Sequence, residues 1–283
     1  MYFMNTKSLF IVIILTCPGI FSHSQDLFVR DTVDIQSGDL SLKGLLWHPG
    51  STGKFPAVVY CHGSYESDDT RYDAVEQVLT LGPLFAKKGY IFLGVFRRGT
   101  GLSKGQGENV ADLMKVALRE KGQDARNKMQ LQQLETDQMQ DLVAGLSFLK
   151  KREDVDSNQI IVSGHSFGGS LALLLAEHEK NLKAAVVFGA AGKSWNISPV
   201  LRDRLFKAVN NINIPVMLIY AQNDYSVSPG YAIDSVMTRL GKPHLLKIYP
   251  AFGKNQSEGH NLMFLSPETC ESDVFKFLSV ISN

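Results

Sequence analysis

The sequence predicts an α/β fold, in which a mostly parallel sheet of eight strands carries helices on both faces. Short strand-like segments alternate with helical patterns along the chain, which is the arrangement of a parallel sheet and its crossover helices. Several of these segments are apolar throughout, as strands buried on both faces are. Another strand-like segment, with the β-branched run Ile160-Ile161-Val162, leads into Gly-x-Ser-x-Gly and then into a helical stretch of small and apolar residues.

The composition is that of an ordinary globular protein. Of 283 residues, 44% are hydrophobic and 20% are charged, and the net charge is +1. A chain of this length can bury a large core, and α/β folds of more than 200 residues are often single domains. The near-neutral charge gives no electrostatic footprint for nucleic-acid binding. We therefore expect one domain over 25–283, with no nucleic-acid partner; composition does not predict the oligomeric state.

Residues 1–24 have the pattern of a secretory signal peptide. Lys7 precedes an apolar run at 9–15, and small residues precede a cleavage point after Ser24. The apolar run is too short to span a bilayer, which takes about 20 residues. No later stretch is long enough either. The pattern predicts a secreted or periplasmic protein, with an uncleaved anchor or a lipid anchor at Cys17 as alternatives.

The first half of the chain predicts a hairpin followed by two further strands. Ser37-Gly38-Asp39 separates two alternating segments, and turn residues at such a point are typical of a β-hairpin. A helix follows the third strand; we expect Gly82-Pro83 to interrupt it and Gly89 to end it. In chain order, the predicted elements are strands at 28–36, 40–47 and 56–61, a helix at 72–88 and a strand at 90–96.

A glycine-rich loop at 97–105 follows the fourth strand. It does not fit a dinucleotide-binding fingerprint, because Lys104 occupies the place of the third glycine, and no P-loop sequence follows. Residues 108–152 are charged and have helical periodicity. Their first part exceeds what a crossover needs, so 106–124 is either a small lid over the site or an extra surface helix.

The second half continues the alternation of strands and helices. The predicted strands lie at 183–188, 215–220 and 244–249, and the predicted helices at 201–209, 231–240 and 268–281. Loops are expected at 189–198 and 252–259. Cys61 ends a predicted strand and Cys270 lies in the last helix, and no pair of cysteines has metal-ligand spacing. We expect two buried thiols.

Ser166 is the candidate nucleophile. A strand, a sharp turn and a helix in this order form a nucleophile elbow, which lifts the serine hydroxyl clear of the sheet. Gly164 and Gly168 leave the space that such a turn needs beside its neighbours. A serine hydroxyl is a poor nucleophile at neutral pH, so it needs a histidine to take its proton and a carboxylate to orient that histidine.

The position of each strand end selects the partners of Ser166. Ligands of a parallel α/β sheet bind at the carboxyl ends of the strands. Asp224 and His260 both follow strands there, in the order expected for this fold. The other histidines are set aside by position: His23 in the signal peptide, His48 in the hairpin, His62 in a structural hydrogen-bonding role, His165 pointing away from the partner of Ser166, His178 late in its helix, and His244 before its strand.

Two backbone N–H groups are needed to stabilise the oxyanion of an acyl transfer. Phe167, at the start of the elbow helix, is expected to supply one of them. The other is expected from Ser64 in the loop after the third strand, or else from Tyr65, whose hydroxyl is a further alternative. Tyr65, Trp195 and Phe252 are predicted to shape the substrate pocket.

These motifs resemble those of the α/β-hydrolase superfamily, and within it the dienelactone hydrolase and prolyl oligopeptidase-like branch. The resemblance rests on the elbow at 164–169, the His62-Gly63 loop, the Arg-Gly-x-Gly-x-Ser loop at 98–103, the approach to the elbow at 156–160, Asp224 and His260. It covers roughly residues 27–283.

The resemblance implies a serine hydrolase that cleaves a small carboxylic ester and needs neither a metal nor an organic cofactor. Amide or peptide cleavage is the nearest alternative, because it would use the same triad and oxyanion hole. A non-catalytic binding protein is another, since a fold alone does not establish activity. Dienelactone hydrolases carry a cysteine nucleophile where this chain has Ser166, so their substrate is not assumed.

Overall fold

The computed structural model describes residues 28–67 and 73–282, so the predicted signal peptide at 1–24 lies outside the described residues. Eight strands form its centre: β1 (Phe28–Ser37), β2 (Leu40–Pro49), β3 (Phe55–Cys61), β4 (Ile91–Val95), β5 (Val155–His165), β6 (Ala184–Phe188), β7 (Val216–Ala221) and β8 (His244–Tyr249). They join in one open sheet in the order β1-β2-β4-β3-β5-β6-β7-β8.

The sheet is mostly parallel, as predicted. β2 pairs antiparallel with β1 on one side and with β4 on the other, whereas all other neighbouring strands are parallel. The carboxyl ends of β3 to β8 therefore lie along one edge of the sheet, and the turn between β1 and β2 lies at that edge as well.

Nine helices and one 3-10 turn at Gly101–Ser103 connect the strands within the described residues. The helices are α1 (Ala74–Lys87), α2 (Val110–Glu135), α3 (Asp137–Lys150), α4 (Phe167–His178), α5 (Pro199–Asn211), α6 (Ser228–Arg239), α7 (Gln256–His260), α8 (Leu262–Leu265) and α9 (Glu268–Ser282). In the part of the chain at 28–67 and 73–282, no helix has the length and apolar character that crossing a bilayer requires.

Helices cover both faces of the sheet, and each face has its own core. α2 to α6 pack on the face that presents Val59 and Val162, while α1 and α9 pack on the face that presents Val58 and Ile161. Neighbouring residues of a strand point to opposite faces, so an apolar run without alternation fills both cores at once. This explains why the central strands have no polar side.

α1 runs without interruption through Gly82-Pro83, contrary to the expected break. A Cβ on Gly82 would lie 2.3 Å from Cε3 of Trp47, so the glycine lets the helix pack directly on the indole ring of β2. Pro83 removes one backbone hydrogen bond. Val78 and Leu81 bury this helix against the sheet, which holds it in spite of that loss.

Two other predicted segments differ from the structure. The long helical segment divides into α2 and α3, and α2 itself contains Gly122 at φ 80°, a left-handed conformation that breaks the helical geometry. The loop predicted at 252–259 ends in the short helix α7. Asn255 begins this helix, because its side chain accepts a hydrogen bond from the N–H of Glu258 over 3.0 Å.

Candidate active site

Ser166 lies at the junction of β5 and α4 in a strained backbone conformation, with φ 55° and ψ −113°. Its N–H donates to the carbonyl of Phe188 over 2.8 Å, which fixes the turn to the end of β6. A Cβ on Gly164 would lie 2.2 Å from the carbonyl oxygen of Gly168. The turn is therefore closed on both sides by backbone, and it has the geometry expected of a nucleophile elbow.

The structure brings Ser166, His260 and Asp224 together in one hydrogen-bonded chain. The Oγ of Ser166 is 2.8 Å from Nε2 of His260, and Nδ1 of His260 is 2.8 Å from Oδ1 of Asp224. His260 and Asp224 are only 6% and 5% exposed, whereas Ser166 is half-buried. With Nδ1 protonated toward the carboxylate, Nε2 is an acceptor for the serine hydroxyl proton.

Asn223 holds the loop before His260 against the turn that carries Asp224. Its side-chain amide donates to the carbonyl of Phe252 over 2.8 Å and accepts from the Phe252 N–H over 2.9 Å. It also donates to the carbonyl of Asn255 over 3.1 Å. Sequence analysis missed this role, because nothing in the local pattern indicates that an asparagine will bridge to a loop about 30 residues away.

The carboxylate of Asp224 accepts the hydrogen bond from His260 through Oδ1. Its other oxygen, Oδ2, has no hydrogen-bond partner among the described residues. The two glycines of the loop after β6 pack against this pair. A Cβ on Gly189 would lie 2.9 Å from Cε1 and Nδ1 of His260, and one on Gly192 would lie 2.7 Å from Oδ1 of Asp224. Larger residues would push the imidazole or the carboxylate out of line.

His165 contacts His260 directly, so the prediction that it points away from the partner of Ser166 is wrong. Its Nε2 donates to the backbone carbonyl of His260 over 2.8 Å, and the two ring centroids are 4.7 Å apart. Its Nδ1 then accepts from the hydroxyl of Tyr65 at 3.3 Å, and Gln77 donates to that hydroxyl over 2.6 Å. Burial, and secondly the charge of His260, lower the pKa of His165 well below its ordinary value.

His62 has the structural hydrogen-bonding role that its position predicts. Its Nδ1 donates to the carbonyl of Gly63 over 2.7 Å, and its Nε2 accepts from the backbone N–H of Arg97 over 3.2 Å. Burial, and secondly the charge of Arg97, lower the pKa of His62 well below its ordinary value. The ring is thus neutral, and it ties the loop after β3 to the end of β4.

The residues predicted to form the oxyanion hole lie on both sides of the elbow. Phe167 is the first residue of α4, where free N–H groups and the helix dipole favour negative charge. Ser64 belongs to the loop after β3. This loop passes close to the elbow, because a Cβ on Gly168 would lie 2.1 Å from the carbonyl oxygen of Cys61 and 2.4 Å from that of His62.

The three residues predicted to shape the pocket have different surroundings. The hydroxyl of Tyr65 lies beside Gln77 and His165, as described above. Phe252 is half-buried, with its backbone held by the side chain of Asn223. Trp195 is 6% exposed and packs edge-on against Phe206, with ring centroids 5.6 Å apart. The contacts of Trp195 are those of a core residue, and a contact with substrate stays a prediction.

The predicted lid at 106–124 corresponds to the first half of α2, which is attached to the loop after β3. Asp112 accepts a hydrogen bond from the N–H of Ser67 over 3.2 Å, and Lys115 forms an ion pair with Glu66. A cavity of about 420 Å³ is lined in part by Leu113 of this helix, and Ser166, His260 and Asp224 are not among its lining residues. It is lined by Ser37, Gly38, Asp39, Leu40, Arg98, Gly107, Glu108, Leu113, Gln133, Asp137 and Gln140.

Both described cysteines are buried free thiols, as predicted. Burial raises the pKa of Cys61 to about 11 and that of Cys270 to about 12, so neither is a thiolate at neutral pH. Across residues 28–67 and 73–282, no three or more His, Cys, Asp or Glu side chains are grouped so that they could hold a metal ion.

An open, mostly parallel sheet with helices on both faces and a serine elbow after β5 defines an α/β-hydrolase fold. Solved structures share it. The chain superposes on a putative dienelactone hydrolase from Klebsiella pneumoniae with a TM-score of 0.63 and 18% identity, covering 90% of this chain and 99% of that one. For an esterase of Pyrococcus furiosus the TM-score is 0.62 at 19% identity, covering 91% and 93% of the two chains.

The chain belongs to the dienelactone hydrolase family, whose sequence model matches residues 42–272. Membership of this family supports its assignment as a hydrolase. The acylaminoacyl peptidase of Pyrococcus horikoshii also contains this fold, with a TM-score of 0.62 and 20% identity. The superposition covers 91% of this chain but only 42% of the peptidase. A polyketide transferase, ATR5, of Stachybotrys chlorohalonatus is 26% identical over 196 residues, which is 65% of this chain and about half, 55%, of that protein.

Proposed function

We propose that this protein is a serine hydrolase that cleaves carboxylic esters through an acyl-enzyme intermediate. The observation that carries the proposal is the unbroken chain of hydrogen bonds from the hydroxyl of Ser166 to the carboxylate of Asp224, with both links at 2.8 Å. His260 is within reach of the proton that it must remove, which is the first requirement for a general base. The serine, with no charge of its own, is activated by that base.

The proposed reaction follows from these contacts. Ser166 Oγ attacks the acyl carbon while its proton passes to Nε2 of His260, and Asp224 stabilises the imidazolium that forms. The negative charge on the carbonyl oxygen of the substrate is received by the N–H groups of Ser64 and Phe167. His260 then gives its proton to the leaving alkoxide. Water repeats the attack on the acyl-enzyme with His260 as base, which releases the acid and restores Ser166.

A fluorophosphonate probe and short p-nitrophenyl esters test this proposal directly. We expect wild type to be labelled and to turn over the ester, and Ser166→Ala to do neither. Ser198→Ala, which changes a buried serine outside the site, is the control and should behave as wild type. His260→Ala should lose nearly all turnover while circular dichroism stays native. Wild type that is neither labelled nor active would point instead to a non-catalytic binding protein.

The same assay separates esters from other acyl donors. Esters are the proposed substrates and peptides are the alternative, because the same triad and oxyanion hole would serve both. Matched p-nitroanilides provide the comparison, and faster turnover of an anilide than of its ester would reverse the assignment. Added alcohols test whether the acyl group can pass to an acceptor other than water, a question that the transferase name of the relative ATR5 raises.

The domain organisation and location complete the proposal. We assign residues 25–283 to one hydrolase domain, with 106–124 as a lid held to the loop after β3 by Asp112 and Lys115. We assign residues 1–24 to a signal peptide, on the pattern of Lys7 and the apolar run that follows it. Expression of the full chain, followed by N-terminal sequencing of the exported protein, tests this: a first residue other than Gln25 would contradict the cleavage site.

A further inference from the structure

Arg97 is a charged side chain with no exposed surface, and it lies two residues after the end of β4. A buried charge is costly unless it is paired. Among the residues that the structure describes, however, no carboxylate lies within ion-pair distance of Arg97. The neighbouring Arg98 pairs with both carboxylates of α3, at 2.9 Å from Asp137 and 2.7 Å from Asp141. Among the described residues, the positive charge of Arg97 therefore has no carboxylate paired with it.

The guanidinium of Arg97 is held by neutral groups. Its Nη2 donates to the backbone carbonyls of His62 and Gly63, each over 2.8 Å, and its Nη1 donates to the side chain of Gln138 over 2.9 Å. The guanidinium carbon is 5.0 Å from the centre of the Phe167 ring. Arg97 thus contacts the carbonyl of Gly63, the residue before Ser64, and the side chain of Phe167. Ser64 and Phe167 are the two predicted donors of the oxyanion hole.

The contact with Gly63 has a direct consequence for Ser64, because the carbonyl of Gly63 and the N–H of Ser64 belong to the same peptide group. That group is planar and trans, so its N–H points away from the side on which Arg97 binds. A cation on the carbonyl oxygen polarises the peptide and makes its N–H a stronger donor, because hydrogen bonds in a chain reinforce one another.

We propose that Arg97 is a positioning residue for the oxyanion hole: it fixes the Gly63–Ser64 peptide and places a permanent positive charge behind it. This inference rests on the proposed function. The charge interacts with the oxyanion only when negative charge has developed on the substrate, so it lowers the barrier without tightening substrate binding. Water does not screen it, since neither the guanidinium nor Gln138 is exposed.

Two substitutions separate this role from simple support of the loop. Arg97→Gln removes the charge. Gln138→Glu keeps Arg97 and its contacts but neutralises its charge with an adjacent carboxylate. The second change is nearly isosteric, and the amide nitrogen that it replaces has no partner among the described residues, so the variant should fold. Arg204→Gln is the control, because Arg204 pairs with Glu135 and Glu177 on helices α2 and α4, outside the Ser166–His260–Asp224 chain.

The readouts are kcat and KM for a p-nitrophenyl ester and the inhibition constant of a boronic acid, which forms a tetrahedral anion on the serine. We expect Arg97→Gln and Gln138→Glu to lower kcat about 10- to 100-fold, with KM within about threefold. This is less than the roughly 100- to 1000-fold loss on removing an oxyanion donor itself, because the charge acts through the peptide. Boronate binding should weaken by the same factor as kcat, and Arg97→Lys should recover part of kcat. Arg204→Gln should keep the kcat of wild type.

The result for Gln138→Glu decides whether the inference stands. If Gln138→Glu is folded and its kcat and boronate affinity are within twofold of wild type, the charge of Arg97 does not act on the oxyanion, and any loss in Arg97→Gln is structural. Should Arg97→Gln fail to fold, Gln138→Glu alone decides. Wild-type turnover and fluorophosphonate labelling are measured first, so failure of the proposed function is recognised before either variant is interpreted.

Discussion

The imidazole of His165 donates a hydrogen bond from Nε2 to the backbone carbonyl of His260 over 2.8 Å. The residue before Ser166 thereby positions His260, the proposed general base. Because a carbonyl only accepts, the proton of His165 must be on Nε2, and the hydroxyl of Tyr65 is placed to favour that tautomer by donating to Nδ1. Gln77 in turn donates to the hydroxyl, so the series of contacts ends at a buried side chain of α1.

Tyr65→Phe removes the group that fixes this tautomer. We expect kcat to fall about tenfold with KM within about threefold, because a small displacement of His260 weakens catalysis more than it weakens binding. The measurement is steady-state hydrolysis of a short p-nitrophenyl ester. Tyr249→Phe, which removes the hydroxyl bonded to Asp273 beside β8, is the matched control. A rise in KM at unchanged kcat would instead make Tyr65 a substrate contact, as the sequence suggested.

Gly189→Ala should inactivate the protein through His260. The new Cβ would lie 2.9 Å from two atoms of the imidazole, and the backbone at φ 56° resists any residue other than glycine. We expect at least about a 100-fold loss of kcat and a loss of about 1–2 kcal/mol in unfolding free energy. Gly89→Ala is the control, because its φ of 82° imposes similar strain with no atom within 4 Å of the new Cβ. Equal kcat in both variants would contradict the packing role of Gly189.

Gly122→Ala tests whether the first half of α2 acts as a lid. Gly122 has φ 80° and open space around it, so alanine strains the backbone there without a clash. We expect the ratio of kcat/KM for the p-nitrophenyl esters of octanoate and acetate to change at least threefold. The backbone at Gly122 sets the position of the proposed lid, and only the octanoyl group is long enough to contact it. Gly241→Ala, at φ 63° and equally open, should cost a similar ~1 kcal/mol of stability and leave the ratio unchanged. An unchanged ratio in Gly122→Ala would favour a plain surface helix.

The stability of the protein should fall as the pH drops below about 6.5, the ordinary pKa of histidine. His62 and His165 are buried, and in the folded protein their pKa values are well below the ordinary one. Between the two values the unfolded chain binds protons that the folded chain does not, so the free energy of unfolding decreases with falling pH. The slope is up to about 1.4 kcal/mol per pH unit for each histidine.

Urea denaturation at pH 7.5, 6.5 and 5.5 measures this slope. Glutamine cannot titrate in this range. Between pH 7.5 and 5.5, the free energy of unfolding of His62→Gln should therefore fall by about half as much as that of wild type. Carboxylates with lowered pKa, such as Asp34 and Asp273, lose stability only near or below their ordinary pKa of about 4, and so lie outside the window. A free energy of unfolding that is flat between pH 7.5 and 5.5 would contradict burial of the two rings as neutral groups.

The sequence was sufficient for the fold because its main signals are local. The apolar run at 56–61 and the turn at 164–168 each carry their structure within a few residues, and the strand-end rule then placed Asp224 and His260 at one edge. Contacts between distant segments had no such signal. The sequence contains two adjacent arginines, and only the packing of α3 against β4 determines that Arg98 reaches Asp141 while Arg97 turns inward.

The same limit explains the wrong expectations. Gly82-Pro83 has the composition of a helix break, and only the neighbouring Trp47 shows why the helix continues. From the sequence alone His165 is expected to point away from the partner of Ser166, because the loop that returns His260 to it comes about 95 residues later. Local pattern identified the three side chains, Ser166, His260 and Asp224, that meet in one hydrogen-bonded series. The groups that hold them were visible only after folding.

The backbone of Ser166, at φ 55° and ψ −113°, is a conformation that glycine tolerates and serine does not, at a cost of about 1–3 kcal/mol. Replacing the serine by glycine should therefore raise the free energy of unfolding, and on the proposed function it would abolish hydrolysis. Laboratory evolution that selects this protein for thermal stability alone would therefore favour inactive variants. Each round of such a selection has to measure product formation as well as the fraction of protein that stays folded.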